Sequence, residues 1–178
     1  MNIKNKYKIA ILLIVVLFFI CFVGKFISAD CKELCIGKQL SIDTIYEYYK
    51  LKDIIDSSRW QNSYKLITLV DSSGCFDCNL KLEAWKNLLI HIDSMSKKEF
   101  IYMLITNSNK YEQIHRKRLI YRVDFIYMDT LDIFNKVNKL SLSRGNRTFL
   151  VNPDNIVEII GSPIFSNAIT DSIIHHLQ

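Results

Sequence analysis

Net charge is nearly absent from most of this chain. Residues 29–178 carry 19 basic and 18 acidic side chains, a balance of +1. A nucleic-acid binder needs a basic footprint to neutralise phosphates, so that class is excluded and no nucleic-acid partner is expected. The +5 of the whole chain comes largely from Lys4, Lys6, Lys8 and Lys25, because the first 28 residues contain no acid. Internal repeats and low-complexity tracts are also lacking, so repeat arrays and biased linkers need not be considered. What remains is one domain's worth of polypeptide: 178 residues, 49% of them hydrophobic, enough for a sizeable core.

The longest apolar run is Ile9 to Val23, flanked by Lys8 and Lys25. At 1.5 Å per residue this run gives roughly 22 Å, short of a ~30 Å hydrocarbon layer unless the flanking lysines snorkel and Phe26 and Ile27 join the span. Residues 1–28 are therefore expected to be a membrane anchor. Ile27-Ser28-Ala29 would also serve as a small-residue cleavage site, which makes a cleaved signal peptide the alternative. A lipoprotein is the weakest reading, because Cys21 follows Ile20 and Cys31 follows Asp30, where lipid attachment wants a small residue. In all three cases the positive N-terminus stays inside and the domain is exported to the cell envelope, the periplasm in a Gram-negative cell.

Residues 29–40 read as a juxtamembrane connector and residues 41–178 as the domain. From Ser41, the positions Ile42, Ile45, Tyr46, Tyr49, Ile54 and Ile55 recur at helical spacing. Residues 64–70, 99–106 and 123–129 are β-prone apolar runs, each followed by a helical pattern: one to about Met95, one over 109–121, and a short one over 131–138. Residues 147–152 and 156–161 flank Pro153-Asp154-Asn155, a turn with proline preset at its second position, and so form a hairpin. A last helix spans about Ser166 to Leu177. This order specifies an α/β domain with a central mixed sheet covered by helices on both faces.

Export brings thiols to oxidising machinery, so close cysteines become structural or working disulfides. Cys21 lies in the apolar run as a small hydrophobe. In "DSSGCFDCNLKLEAW", Cys75 and Cys78 fall where the first strand passes into its helix. The free N–H groups and dipole of a helix start favour a thiolate, and a cysteine one turn further on can reach it. Asp77 between them disfavours that thiolate.

With this motif, the "YMDTLDIFNKV" segment and the "RTFLVNPDNIVEIIG" hairpin, residues 40 to 178 resemble the thioredoxin-like superfamily, in particular exported or membrane-anchored thiol:disulfide oxidoreductases of the TlpA/ResA kind, common in the Bacteroidetes. The resemblance implies a thioredoxin-like fold and catalysis by Cys75 and Cys78 without an organic cofactor. It further implies a substrate groove built from Gly74, Phe76, Asp77, Asn146, Arg147 and Thr148, and protein thiols or disulfides of the envelope as partners. The chain departs from the family pattern in three places. Asn146-Arg147 stands where a cis-proline usually precedes the "TFL" strand, Asp71-Ser72-Ser73-Gly74 replaces an aromatic-rich approach, and Glu83 replaces a helix-kinking proline.

Two other classes stay open. One is a binding or scaffold module of the same fold with a structural disulfide; the other is a copper- or zinc-handling domain using the same thiols. Cys31 and Cys35 are a candidate second thiol pair, read first as a structural disulfide or exposed thiols. No metal site is expected from His91, His115, His175 and His176, whose spacing points to different helix faces or helix ends. His115-Arg116-Lys117-Arg118 with Arg122 forms a basic cluster, read as a solvated helix face, and Trp85 is read as core.

Overall fold

Two central strands, buried except at their first residues, organise the domain: β1 (Tyr64–Val70) and β2 (Phe100–Thr106) pair in parallel over their whole length. The computed structural model describes residues 34–42, 56–70, 81–108, 110–121, 126–140 and 148–178, all within the unit Lys32–Gln178. Around the two central strands lie α1 (Ser57–Asn62), α2 (Leu82–Met95), α3 (Tyr111–Tyr121), β3 (Ile126–Met128), α4 (Ile133–Asn138), β4 (Thr148–Val151), β5 (Val157–Ile160) and α5 (Asn167–Leu177). The sheet order is β3-β2-β1-β4-β5. The first three strands are parallel, and β4 and β5 are antiparallel to their neighbours. This is the mixed sheet expected from the sequence.

Strand alternation divides the core in two. Ile67 and Leu69 of β1 face a cluster containing Trp60 of α1, Phe134 of α4, and Leu34, Leu40 and Ile42. Leu66 and Val70 face the opposite cluster, with Leu82, Trp85 and Ile92 of α2, Ile114 of α3, and Ile173, Ile174 and Leu177 of α5. Central strands buried on both faces read as continuous apolar runs, which is why residues 64–70 and 100–106 were legible.

The hairpin forms as its turn chemistry requires. Asn155 donates its N–H to the Asn152 carbonyl at 2.9 Å across Pro153-Asp154, then itself takes φ 63°, a left-handed value that asparagine tolerates. The register shifts between Leu150 and Val151, an irregularity that period-two patterning did not reveal. Gly161, at φ 144°, ends β5 where an added Cβ would come 2.9 Å from Ile169 Cδ1 of α5.

Two features differ from the sequence expectation. Residues 34–42, mostly placed in a connector, run beside the hairpin: Gln39 bridges Ile156, Gly37 N–H reaches the Val157 carbonyl at 2.7 Å, and Leu34, Leu40 and Ile42 are buried. The short α1 was not expected; Asp56 caps it by accepting the N–H groups of Ser58 and Arg59. Of the helix expected from Ser41, only Ser41 and Ile42 are described. Strand β3 is described over Ile126–Met128, and residues 122–125 lie outside the described residues. Among the described residues no helix is long and apolar enough to cross a membrane, and the anchor expected at residues 1–28 lies outside them.

Helix α4 ends in a Schellman arrangement: Leu140 N–H bonds the Asn135 carbonyl at 2.9 Å and Lys139 N–H the Lys136 carbonyl at 3.3 Å, with Lys139 left-handed at φ 49°. A side chain is strained there and glycine is not. Lys139→Gly is expected to stabilise the domain by about 0.5–1 kcal/mol, read as a higher urea midpoint at unchanged slope.

Candidate functional site

The candidate site is defined by where the strands stop. Val70 is the last residue of β1 and leads into residues 71–80, which contain Cys75 and Cys78. Thr148 is the first residue of β4 and follows residues 141–147, which contain Asn146 and Arg147. Because β4 runs antiparallel to β1 with Thr68 opposite Thr148, both segments join the sheet at the same end and on adjacent strands. In parallel sheets this carboxyl end, where neighbouring connections diverge, is the usual place for a ligand site. Gly74, Cys75, Phe76, Asp77, Cys78, Asn146 and Arg147 themselves lie outside the described residues, as does Cys31.

Beneath that end lies a line of uncharged polar and aromatic side chains. The hydroxyls of Thr68 and Thr148 are 3.1 Å apart, both buried. Tyr102, on β2, stacks its ring on Trp85 of α2 with centroids 4.9 Å apart and planes tilted 32°. Burial pushes the Tyr102 phenol well above its ordinary range, and the Thr68 hydroxyl only partly opposes this. Four elements, α2, β2, β1 and β4, are thus tied together just under the point where the two segments depart. Thr148, expected in the groove, contributes its side chain to this buried line and can border a groove only from below. Trp85 is core, as its spacing indicated.

The other polar groups at this end serve the backbone. Asp129, after β3, accepts the N–H groups of Ile133 at 2.7 Å and Phe134 at 2.9 Å, capping α4. Its own N–H bonds the Thr106 carbonyl. Thr106 Oγ1 accepts the Ser108 N–H, and Ser108 Oγ accepts the Lys110 N–H.

Helix α2 is described from Leu82, and residues 71–80 lie outside the described residues. Lys81 takes φ 41°, so a regular helix does not run unbroken from the cysteines to Met95. The break occurs without proline. Lys81 instead places its ammonium 3.9 Å from the centroid of Phe165, which is 71% exposed beside the start of α5. Sequence reasoning missed this pair, because neither a left-handed lysine nor a contact so distant in sequence leaves a local signal.

Cys35 is half-buried in the segment beside β5. Crossing β4 and β5, that segment lies three strand spacings, roughly 14 Å, from β1. Among the described residues no three His, Cys, Asp or Glu side chains converge on a common point.

These features coincide with a known architecture. The thioredoxin domain of a thiol-disulfide oxidoreductase from Bacteroides vulgatus matches with a TM-score of 0.51, covering 68% of this chain and 84% of that one at 12% identity. The protein is thioredoxin-like in fold. Two further solved structures match less well. A thiol:disulfide interchange protein of the thioredoxin family from Chlorobium tepidum covers 68% of this chain and 83% of its own at 10% identity, with TM-score 0.49. A thioredoxin-like protein from Parabacteroides distasonis covers 64% and 81% at 13% identity, with TM-score 0.46. No family model and no curated protein matches the sequence.

The raised Tyr102 pKa sets the sign of an alkaline effect on this thioredoxin-like domain. Above pH 10.0, the ordinary value, the unfolded chain releases the phenolic proton while the folded one holds it. The stability contributed by Tyr102 is therefore complete below that pH and lost as pH rises toward the folded pKa, at about 1.4 kcal/mol per unit. Relative to Tyr102→Phe, the wild type is expected to lose stability as pH rises above 10.0, read as a urea midpoint that falls in the wild type and not in the variant.

Proposed function

We propose that this thioredoxin-like protein is an exported thiol:disulfide oxidoreductase of the TlpA/ResA kind, acting on protein disulfides of the cell envelope through Cys75 and Cys78. The observation that carries the reading is the shared exit. On a thioredoxin-like sheet, the strand leading to Cys75-Phe76-Asp77-Cys78 and the strand following Asn146-Arg147 are paired at one end through Thr68 and Thr148.

In this reading Cys75, as thiolate, attacks one sulfur of a substrate disulfide, forming a mixed disulfide and releasing the other substrate sulfur as a thiolate. Cys78, deprotonated, then attacks the Cys75 sulfur, closing Cys75–Cys78 and releasing the second substrate thiolate. The substrate gains two electrons and the pair loses two. The reverse sequence oxidises a dithiol. No organic cofactor enters. Asn146 and Arg147 border the substrate groove, with a guanidinium where relatives of this kind carry proline. The N-terminal segment tethers the domain outside the cytoplasm.

Cys78→Ser is expected to trap covalent mixed disulfides with envelope proteins, because nothing remains to resolve them, while Cys75→Ser is expected to trap none. Affinity purification and non-reducing electrophoresis distinguish the two. Equal trapping, or none from either, would replace this reading with a redox-inactive binding module. A couple that exchanges should have a potential above roughly −300 mV, whereas a structural disulfide falls below it. In reduced intact spheroplasts a cell-impermeant maleimide is expected to label Cys75, and protection of that thiol would contradict export.

A further inference from the structure

The domain's balanced charge conceals a local excess. Residues 110–122 hold five basic side chains, Lys110, Arg116, Lys117, Arg118 and Arg122, against the single acid Glu112. The rest of residues 29–178 hold 14 basic and 17 acidic side chains, so the positive charge is concentrated on and around α3.

Helix α3 meets the core through Ile114, which is 2% exposed. Glu112, His115, Arg116, Leu119 and Ile120 are all exposed, and their spacing of i, i+3, i+4, i+7 and i+8 makes them one outward stripe. Leu119 and Ile120 are each 66% exposed at the far end of that stripe, one turn beyond Arg116. A solvated helix face places polar residues at such positions. Two neighbouring aliphatic side chains among basic ones are instead the composition of a helix that lies on a charged, partly apolar surface.

We propose that the outward face of α3 docks onto an anionic lipid surface, with Leu119 and Ile120 entering the headgroup boundary and Arg116 pairing with lipid phosphates. Charge complementarity selects an anionic surface, and the adjacent aliphatics favour one with a yielding apolar layer beneath its charge. This docking is independent of whether Cys75 and Cys78 exchange disulfides, and it differs from a span through residues 9–23.

The test uses the full chain with lipid nanodiscs of phosphatidylglycerol and phosphatidylcholine in equal parts, or of phosphatidylcholine alone. Leu119→Trp reports the contact. Its emission is expected to shift to the blue and to be quenched by brominated acyl chains in the anionic discs, and to stay solvent-like in the zwitterionic ones. Adding Arg116→Glu, or raising salt from about 0.1 M to about 0.5 M, is expected to reduce the docked-to-free ratio roughly tenfold. Hydrogen exchange of residues 111–121 in the unmodified protein, slower in anionic than in zwitterionic discs, gives the same answer without relying on the tryptophan variant. Equal exchange in both discs, with the introduced tryptophan unquenched, would overturn the proposal and leave an acidic protein as the occupant of this face.

Discussion

The antiparallel pairing of β1 with β4 is the constraint on which the rest of the domain depends. Thr68 and Thr148 are 80 positions apart in sequence, yet they face each other across one rung with their hydroxyls 3.1 Å apart. Closing so long a loop has an entropic cost that grows only slowly with length, and four paired positions of fully buried strand repay it. The consequence is positional. Once β4 is registered on β1, the segment leaving Val70 and the segment arriving at Thr148 must share one end of the sheet. The hairpin also carries its turn to the other end, beside Lys65.

The two ends of β1 differ chemically. Near its start Lys65 is 1% exposed, its ammonium 5.4 Å from the Trp60 ring centroid and 3.4 Å from Asn155 Oδ1 of the hairpin turn. A buried cation is costly unless aromatic faces and hydrogen bonds replace its water, and both contacts come from elements that pack only in the folded state. Lys65 therefore ties α1 and the hairpin turn to β1. At the other end the buried polar groups on the strands are neutral threonine hydroxyls, those of Thr68, Thr106 and Thr148.

Much of this was readable in the sequence, for identifiable reasons. The two central strands announced themselves because burial on both faces leaves few polar residues to interrupt the run. The hairpin was readable from Pro153-Asp154-Asn155, where each residue suits one backbone conformation. Helix α1 was not, because six residues with the single large apolar Trp60 show no periodicity, and its start rests on one cap, Asp56. Lys81 and Lys139 take left-handed values that lysine does not advertise. The packing of Leu34 and Leu40 onto the core was hidden because residues 29–40 read as a juxtamembrane connector.

The chemistry of the carboxyl end of the sheet bears on where reactivity can reside. Among the described residues just beyond the strand ends, Asp129 contributes a carboxylate, and both of its oxygens accept N–H groups of α4. Thr106 and Ser108 accept from their own loop, and the Thr68 and Thr148 hydroxyls bond each other. Each of these polar groups is engaged in holding the scaffold. A rigid end of this kind orients groups without reacting itself. In the proposed reading, reactivity at this end comes from the segments that leave Val70 and arrive at Thr148, as is common where loops carry function on a fixed frame. Those segments are residues 71–80 and 141–147, and the chain places its Cys75-x-x-Cys78 pair in one and Asn146-Arg147 in the other.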